Sequence, residues 1–355
     1  MKTETIISVD VMGGDLGPGP MIAGLARAAS EDEGLRFLLH GDSAQITPLV
    51  ERRRKLRDRV EIHHTDEAVA MAEKPSRALR RGKKTSLWQA LESVSSGEAK
   101  TAVSAGNTGA IVAMAMLALR KAPNIDRPAI AVHWPANNAN GYNVVLDMGA
   151  DVRADARNLV QYAIMGAEYS RLAFGVSTPR VGILNVGTED AKGHPEQREA
   201  KELLTELTGS TDIGFTFKGF VEGTDILGNV VDVIVTDGFT GNIAMKASEG
   251  TASFIRRALK DAFSHSILSR FGALFAMGSL RRLRKRIDPR RVNGGVFLGL
   301  NGCVVKSHGG ADALGHASAV HLAAKIASHD LTELVAHRMA TLSELSPRIG
   351  APPGK

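Results

Sequence analysis

Residues 231–250, VDVIVTDGFTGNIAMKASEG, constrain this chain more than any other stretch. Val231 to Val235 is a β-branched, apolar run, short enough for a strand covered on both faces. Asp237-Gly238 and Thr240-Gly241 interrupt it, and an apolar helical period resumes at Ile243, Ala244 and Ala247. Asn242 is expected where that helix begins, at backbone N–H groups that lack partners and offer a seat to an anion. One such turn is equally an ordinary strand-to-helix loop with an Asn cap. The design recurs, however. Apolar runs lead into small-residue turns at Asp10-Val11-Met12-Gly13-Gly14-Asp15, Ser104-Ala105-Gly106-Asn107-Thr108-Gly109, Asp147-Met148-Gly149-Ala150-Asp151 and Gly187-Thr188-Glu189-Asp190-Ala191-Lys192-Gly193. Strands alternating with helices predict a three-layer α/β/α architecture with a mostly parallel sheet. In such a sheet these turns lie together at the carboxyl ends of the strands, in a cleft suited to phosphate.

A chain of 355 residues with 43% hydrophobic and 23% charged residues is that of a globular protein with a large core. With three Tyr and two Trp it has few stacking platforms for single-stranded nucleic acid, and no nucleic-acid partner is expected. The single cysteine, Cys303, excludes an internal disulfide and reads as a small buried hydrophobe. The N-terminus MKTETIISVD has no signal-peptide h-region, and Gly109 to Leu119 is too short to span a bilayer, so cytoplasmic residence is expected.

Familiar catalytic constellations are missing. The chain has no G-x-S-x-G, H-E-x-x-H, C-x-x-C, P-loop or G-x-G-x-x-G motif. Neither a metal nor a cofactor is implied. What remains is an anion site with one cation placed for it: Lys192 follows a predicted strand in a glycine-bounded loop, although a solvent-facing lysine is an equal alternative. Asn242 adds an amide. Candidate substrate contacts are Asp10, Gly13, Gly14, Ser104, Gly106, Asn107, Thr108, Thr188, Asp237, Gly241 and His308. Of these, Asp237 can simply anchor its own turn, and His308 can simply bond backbone. With no general base or nucleophile among them, such a site suits a reaction whose nucleophile is already an anion.

From Ile243 to about Ile287 the pattern is helical, too long for one ordinary helix and interrupted at Gly272 and Gly278. Eleven Lys and Arg fall within residues 256–291 against Asp261 and Asp288, so the remainder of this +6 chain is net negative. Phe271 and Phe275, beside Arg281, Arg282, Arg284, Lys285 and Arg286, fit a helix lying on a membrane interface or receiving an acidic partner. The alternative is core packing with a solvated basic face. Ala313 to His337 reads as one helix closing a single catalytic domain over 1–337, which contains the basic segment 255–292. Residues 338–355 read as a loose tail.

The strings VDVMGGD (9–15), SAGNTGA (104–110), IDRPAIA (125–131), LDMGA (146–150), QYAIMG (161–166), LNVGTEDAKG (184–193), VTDGFTGN (235–242) and SHGGADA (307–313) closely resemble the acyl carrier protein:phosphate acyltransferase family (PlsX). The resemblance runs in order from about Ile6 to the helix near His329. It implies a fold similar to phosphate acetyltransferases and isocitrate dehydrogenase-like proteins, and transfer of a fatty acyl group from acyl-(acyl carrier protein) to inorganic phosphate. The acyl phosphate product serves bacterial phospholipid synthesis. The resemblance also implies catalytic roles for Lys192 and Asn242, a homodimer, an amphipathic helical tip used in peripheral membrane contact, and a glycerol 3-phosphate acyltransferase as a possible partner. Segment 255–292 matches least clearly.

Overall fold

The computed structural model describes residues 4–210, 213–286 and 293–345. Its apolar runs pair into one sheet of eleven strands. These are β1 (Thr5–Asp10), β2 (Leu35–Gly41), β3 (Val60–His64), β4 (Thr101–Ser104), β5 (Ala129–Pro135), β6 (Tyr142–Leu146), β7 (Arg180–Leu184), β8 (Thr216–Val221), β9 (Val233–Val235), β10 (Gly295–Leu298) and β11 (Cys303–Lys306). The helices are α1 (Pro18–Glu31), α2 (Ser43–Glu51), α3 (Arg54–Arg57), α4 (Pro75–Arg81), α5 (Ser86–Ser95), α6 (Thr108–Ala118), α7 (Ala156–Phe174), α8 (Pro195–Ser210), α9 (Gly238–Ser264), α10 (Ile267–Arg286), α11 (Ala313–Ala327) and α12 (Leu331–Leu345).

Strand order is β3-β2-β1-β4-β11-β10-β5-β6-β9-β7-β8. Three central pairings, β11 with β10, β10 with β5 and β5 with β6, are antiparallel. The flanking pairings are parallel. The three reversals turn the sheet's direction around, so β6, β9, β7 and β8 run opposite to β3, β2, β1, β4 and β11. This corrects the expectation of one gathering of turns. Loops after β1, β4 and β11 leave one edge of the sheet; loops after β6, β7 and β9 leave the other.

Because side chains alternate along a strand, two separate apolar layers form on the two faces. One face packs Val9, Val103, Leu146 and Val233 with apolar residues of α1, α7, α8, α11 and α12, including the fully buried Tyr162 and Tyr169. The other packs Ala102, Ile130, Val145 and Ile234 against α4, α5 and α6, with Ala244 and Met245 of α9 partly buried there. The result is the expected three layers. Cys303 is buried, and burial pushes its thiol up to about 12, so it behaves as a hydrophobe rather than a nucleophile.

Two helix boundaries differ from expectation. The long helical stretch breaks at His265–Ser266, where the Ser266 hydroxyl accepts from the Ser269 N–H and starts α10. Gly272 and Gly278 lie inside α10, since an interior glycine costs only about 1 kcal/mol and need not end a helix. The stretch 313–337 is two helices, parted at Asp330 with φ 44°, and the second continues to Leu345 rather than fraying at 338. Residues 346–355 of the expected tail lie outside the described residues.

Candidate functional site

At the first edge, Asp10, Ser104 and Lys306 stand abreast on β1, β4 and β11. Asp10 is 2% exposed, and its two oxygens accept from the Ser86 and Ser104 hydroxyls at 2.7 Å each. The Ser104 oxygen in turn accepts from the Gly106 N–H. Burial raises the Asp10 pKa, while these donors and the Gly13 and Met12 N–H groups pull it down. Asp10 and Ser104 therefore serve as the scaffold beneath the loops; their polar atoms are already engaged. Gly13 approaches so closely that a Cβ there would stand 2.8 Å from the Gly106 nitrogen. The Asp15 N–H donates to the Gly309 carbonyl at 2.9 Å, joining the third loop to the first. Together Gly13-Gly14, Gly106-Asn107 and His308-Gly310 form one glycine-lined rim.

Asn107 does cap a helix start, accepting from the Ala110 N–H, and its amide donates to the Met71 carbonyl at 2.6 Å. Thr108 is the first residue of α6. His308 is exposed; its Nδ1 accepts from the Gly310 N–H and its own N–H donates to Asn293. That is the plain backbone role. Lys306 escaped notice in the sequence because it merely ends an apolar strand. Burial lowers its ammonium pKa, while Asp15 and Glu249 act in the opposite sense. Glu249 belongs to α9, seven positions beyond Asn242 and on the same helical face, so α9 extends from the second edge into electrostatic reach of the first.

At the second edge, β7 and β9 are parallel neighbours, with Ile183 opposite Val235. The loops bearing Lys192 and Asn242 thus leave adjacent strands at the same end. Lys192 is half exposed, and its ammonium contacts Glu189 at 2.7 Å. That carboxylate is the main cause raising the lysine pKa, with a smaller contribution from Glu222. Thr188 is exposed beside them. The Asn185 amide donates to the Lys192 carbonyl and fixes the loop's end.

The cap of α9 is Asp237, not Asn242: its carboxylate accepts both the Thr240 N–H and hydroxyl. Two polar contacts on one carboxylate favour that start, so Asn242 sits one turn inside the helix, half-buried. Its amide lies over Gly149, 3.7 Å from where a Cβ would be. Gly241 is pressed onto the Asp147 carbonyl, which would lie 2.0 Å from a Cβ at that position. Asp147 is fully buried, and burial pushes its carboxyl up to about 6 against four backbone N–H donors. The sequence signal for it is an acid directly after an apolar strand and before a glycine, which reads simply as a turn.

The α9–α10 hairpin presents Phe254, Phe271 and Phe275 to the outside, the last 92% exposed. Arg281 and Arg282 are exposed too; the side chains of Arg284, Lys285 and Arg286, and residues 287–292 altogether, lie outside the described residues. Among the described residues, no helix is long and apolar enough to cross a membrane.

The chain matches the family model described as "Fatty acid synthesis protein" over residues 5–334. It is 57% identical over 343 residues to a phosphate acyltransferase of Ruegeria sp. (strain TM1040), covering 97% of this chain and 91% of that protein. A phosphate acyltransferase of Paracoccus denitrificans (strain Pd 1222) is 54% identical over 335 residues, covering 94% and 90%. Among solved structures, a phosphotransacetylase from Streptococcus pyogenes superposes with a TM-score of 0.58 at 18% identity, covering 92% of this chain and 94% of the other. The EutD phosphotransacetylase from Staphylococcus aureus gives 0.56 at 14% identity, covering 91% and 94%. At such identities the likeness is one of fold.

Proposed function

This chain belongs to the fatty acid synthesis protein family, and we propose that it is a phosphate acyltransferase moving a fatty acyl group from acyl-(acyl carrier protein) to inorganic phosphate. The observation that carries the phosphate acyltransferase reading is 54% to 57% identity, over nearly the whole chain, to relatives of that name. The shared exit of the Lys192 and Asn242 loops from β7 and β9 supports it.

A phosphate oxygen attacks the thioester carbonyl; the C–S bond breaks, and the acyl phosphate and the carrier's thiolate depart. Lys192 and Asn242 stabilise the oxyanion of the tetrahedral intermediate, which matters more in the transition state than in the ground state. Lys192 also offsets phosphate charge. The leaving thiolate is stable enough near neutral pH to need little acid assistance, so a site without a histidine base suffices. No cofactor takes part in this scheme.

The acidic carrier protein is drawn to the basic α9–α10 hairpin, and that hairpin's apolar tip rests on the inner face of the cell membrane. A homodimer, and hand-over of acyl phosphate to a glycerol 3-phosphate acyltransferase, complete the reading. Incubating the protein with long-chain acyl-(acyl carrier protein) and inorganic phosphate, with hydroxylamine as trap, is the test. Phosphate-dependent acyl hydroxamate is the expected product. Its absence, or equal turnover of acyl-coenzyme A, would refute the donor assignment.

A further inference from the structure

The loop beneath Asn242 is organised by one buried carboxylate. Asp147 Oδ1 accepts from the N–H of Ile130 on β5 at 2.8 Å and from Gly149 and Ala150 at 3.2 and 3.1 Å. Its Oδ2 accepts from Ala150 at 2.9 Å and Asp151 at 2.5 Å. The loop is thereby wrapped around its own first side chain, an anion seated in a backbone nest. The wrapped loop then meets α9 at two places. The Asp151 carbonyl accepts from the N–H of Gly238, the first residue of the helix, at 2.7 Å, and Gly149 underlies the Asn242 amide. Glycine at 238 and 241 lets the helix settle directly on this backbone: a Cβ at 238 would stand 2.5 Å from Asp147 Oδ2.

From this contact chain we infer that Asp147 is a positioning residue for the reaction: by holding Gly149 to Asp151 in a fixed turn, it sets where Asn242 presents its amide. The inference rests on the reading of Asn242 as an oxyanion donor. Asp147 is buried beneath the loop and touches no substrate; it acts through Asn242. Loss of its grip frees Gly149 and the first turn of α9 together, displacing a donor whose value depends on its position to within about 1 Å.

The experiment is a double-mutant cycle with steady-state kinetics in acyl thioester and inorganic phosphate, using N242A, D147N and the two combined. D147N keeps the shape but offers an NH2 group to N–H donors. Its kcat is expected to fall about 100-fold with KM for phosphate changed less than about 3-fold. In the N242A background it should cost less than about 3-fold further, because the group being positioned is already gone. G149A disturbs the same turn without touching the carboxylate: residue 149 has φ 125°, a conformation an alanine strains, and the nearest neighbour of the added side chain, at 3.7 Å, is the Asn242 amide. It too should lower kcat in the parent chain and not in N242A. If N242A turns over normally, the reading of the site and this inference both fall. If N242A is impaired but the folded partner substitutions leave kcat intact, or add their full cost to it, only the positioning role falls.

Discussion

The Lys192 ammonium is held by Glu189, three residues earlier in its own loop, at 2.7 Å. The bond raises the lysine pKa and lowers the glutamate's, so both groups stay charged through the neutral range. An anion approaching Lys192 must share it with this carboxylate. Replacing Glu189 by Gln removes the competitor while preserving its length. KM for phosphate should drop roughly 2- to 5-fold, the range of an exposed ion pair, with the melting temperature unchanged because the pair is solvated. A higher KM would mean that Glu189 orients Lys192 instead of competing for it.

Lys192→Ala and Asn242→Ala should each lower kcat by roughly 100- to 1000-fold, the usual loss for an oxyanion-hole donor. Circular dichroism should report native folding in both, since Lys192 is exposed and Asn242 lies within a helix capped by Asp237. The discriminating result is the ratio: in the proposed scheme Lys192 also neutralises phosphate, so its removal should raise KM for phosphate while Asn242→Ala should not. Near-normal turnover in either folded variant removes that residue from the chemistry.

The elements of this fold were legible because β-branched runs such as Val231 to Val235 and polar-apolar helical periods are local signals. Strand direction was not. A buried apolar run reads the same in either sense; the reversals between β10 and β11 and between β5 and β6 join strands consecutive in the chain, whereas the pairing of β10 with β5 joins distant segments and leaves no local signal. Hence the turns were legible as turns while their division between two edges was hidden. Asp10 and Asp147 show the same limit at one residue's scale. Each is an acid at the carboxyl end of a strand, and only tertiary contacts distinguish a ligand-facing carboxylate from one already surrounded by hydroxyls or N–H groups. At α9, both Asp237 and Asn242 are good cap residues. Thr240 decides between them through its N–H and hydroxyl together.

His40 supplies a pH-dependent test of the core. It is 1% exposed with its ring 4.9 Å from that of His63, and burial, with the second ring's charge, pushes its pKa down to about 4. The unfolded chain therefore takes up this proton first, near 6.5. The stability contributed by neutral His40 is complete above that pH and is lost as pH falls towards 4, by at most about 3 kcal/mol. Asp147, with its raised pKa, acts in the opposite sense, but equally in the parent chain and a His40 variant. Denaturant melts of His40→Asn and the parent between pH 7 and 4 should converge as pH falls. A constant gap across that range would mean that His40 titrates alike in the folded and unfolded states.

The exposed aromatic tip of the hairpin calls for a cover. Phe271 and Phe275 lie on one face of α10, four residues apart, at 58% and 92% exposure, with Arg281 and Arg282 following on the same helix. Burying two phenylalanine side chains gains about 2 to 3 kcal/mol each, and each arginine near an anionic surface adds about 1 kcal/mol. Together these suffice for reversible attachment without a spanning segment. Phe271→Ser with Phe275→Ser should therefore abolish co-sedimentation with phosphatidylglycerol vesicles while leaving turnover of soluble acyl-(acyl carrier protein) unchanged. Charge reversal at Arg281 and Arg282 should weaken vesicle binding at low salt and have little effect at high salt, where the field is screened. Should the double serine variant still sediment with vesicles, the aromatic tip is not what meets the membrane. Should it instead change the oligomeric state in analytical ultracentrifugation, those phenylalanines are covered by a second copy of the chain.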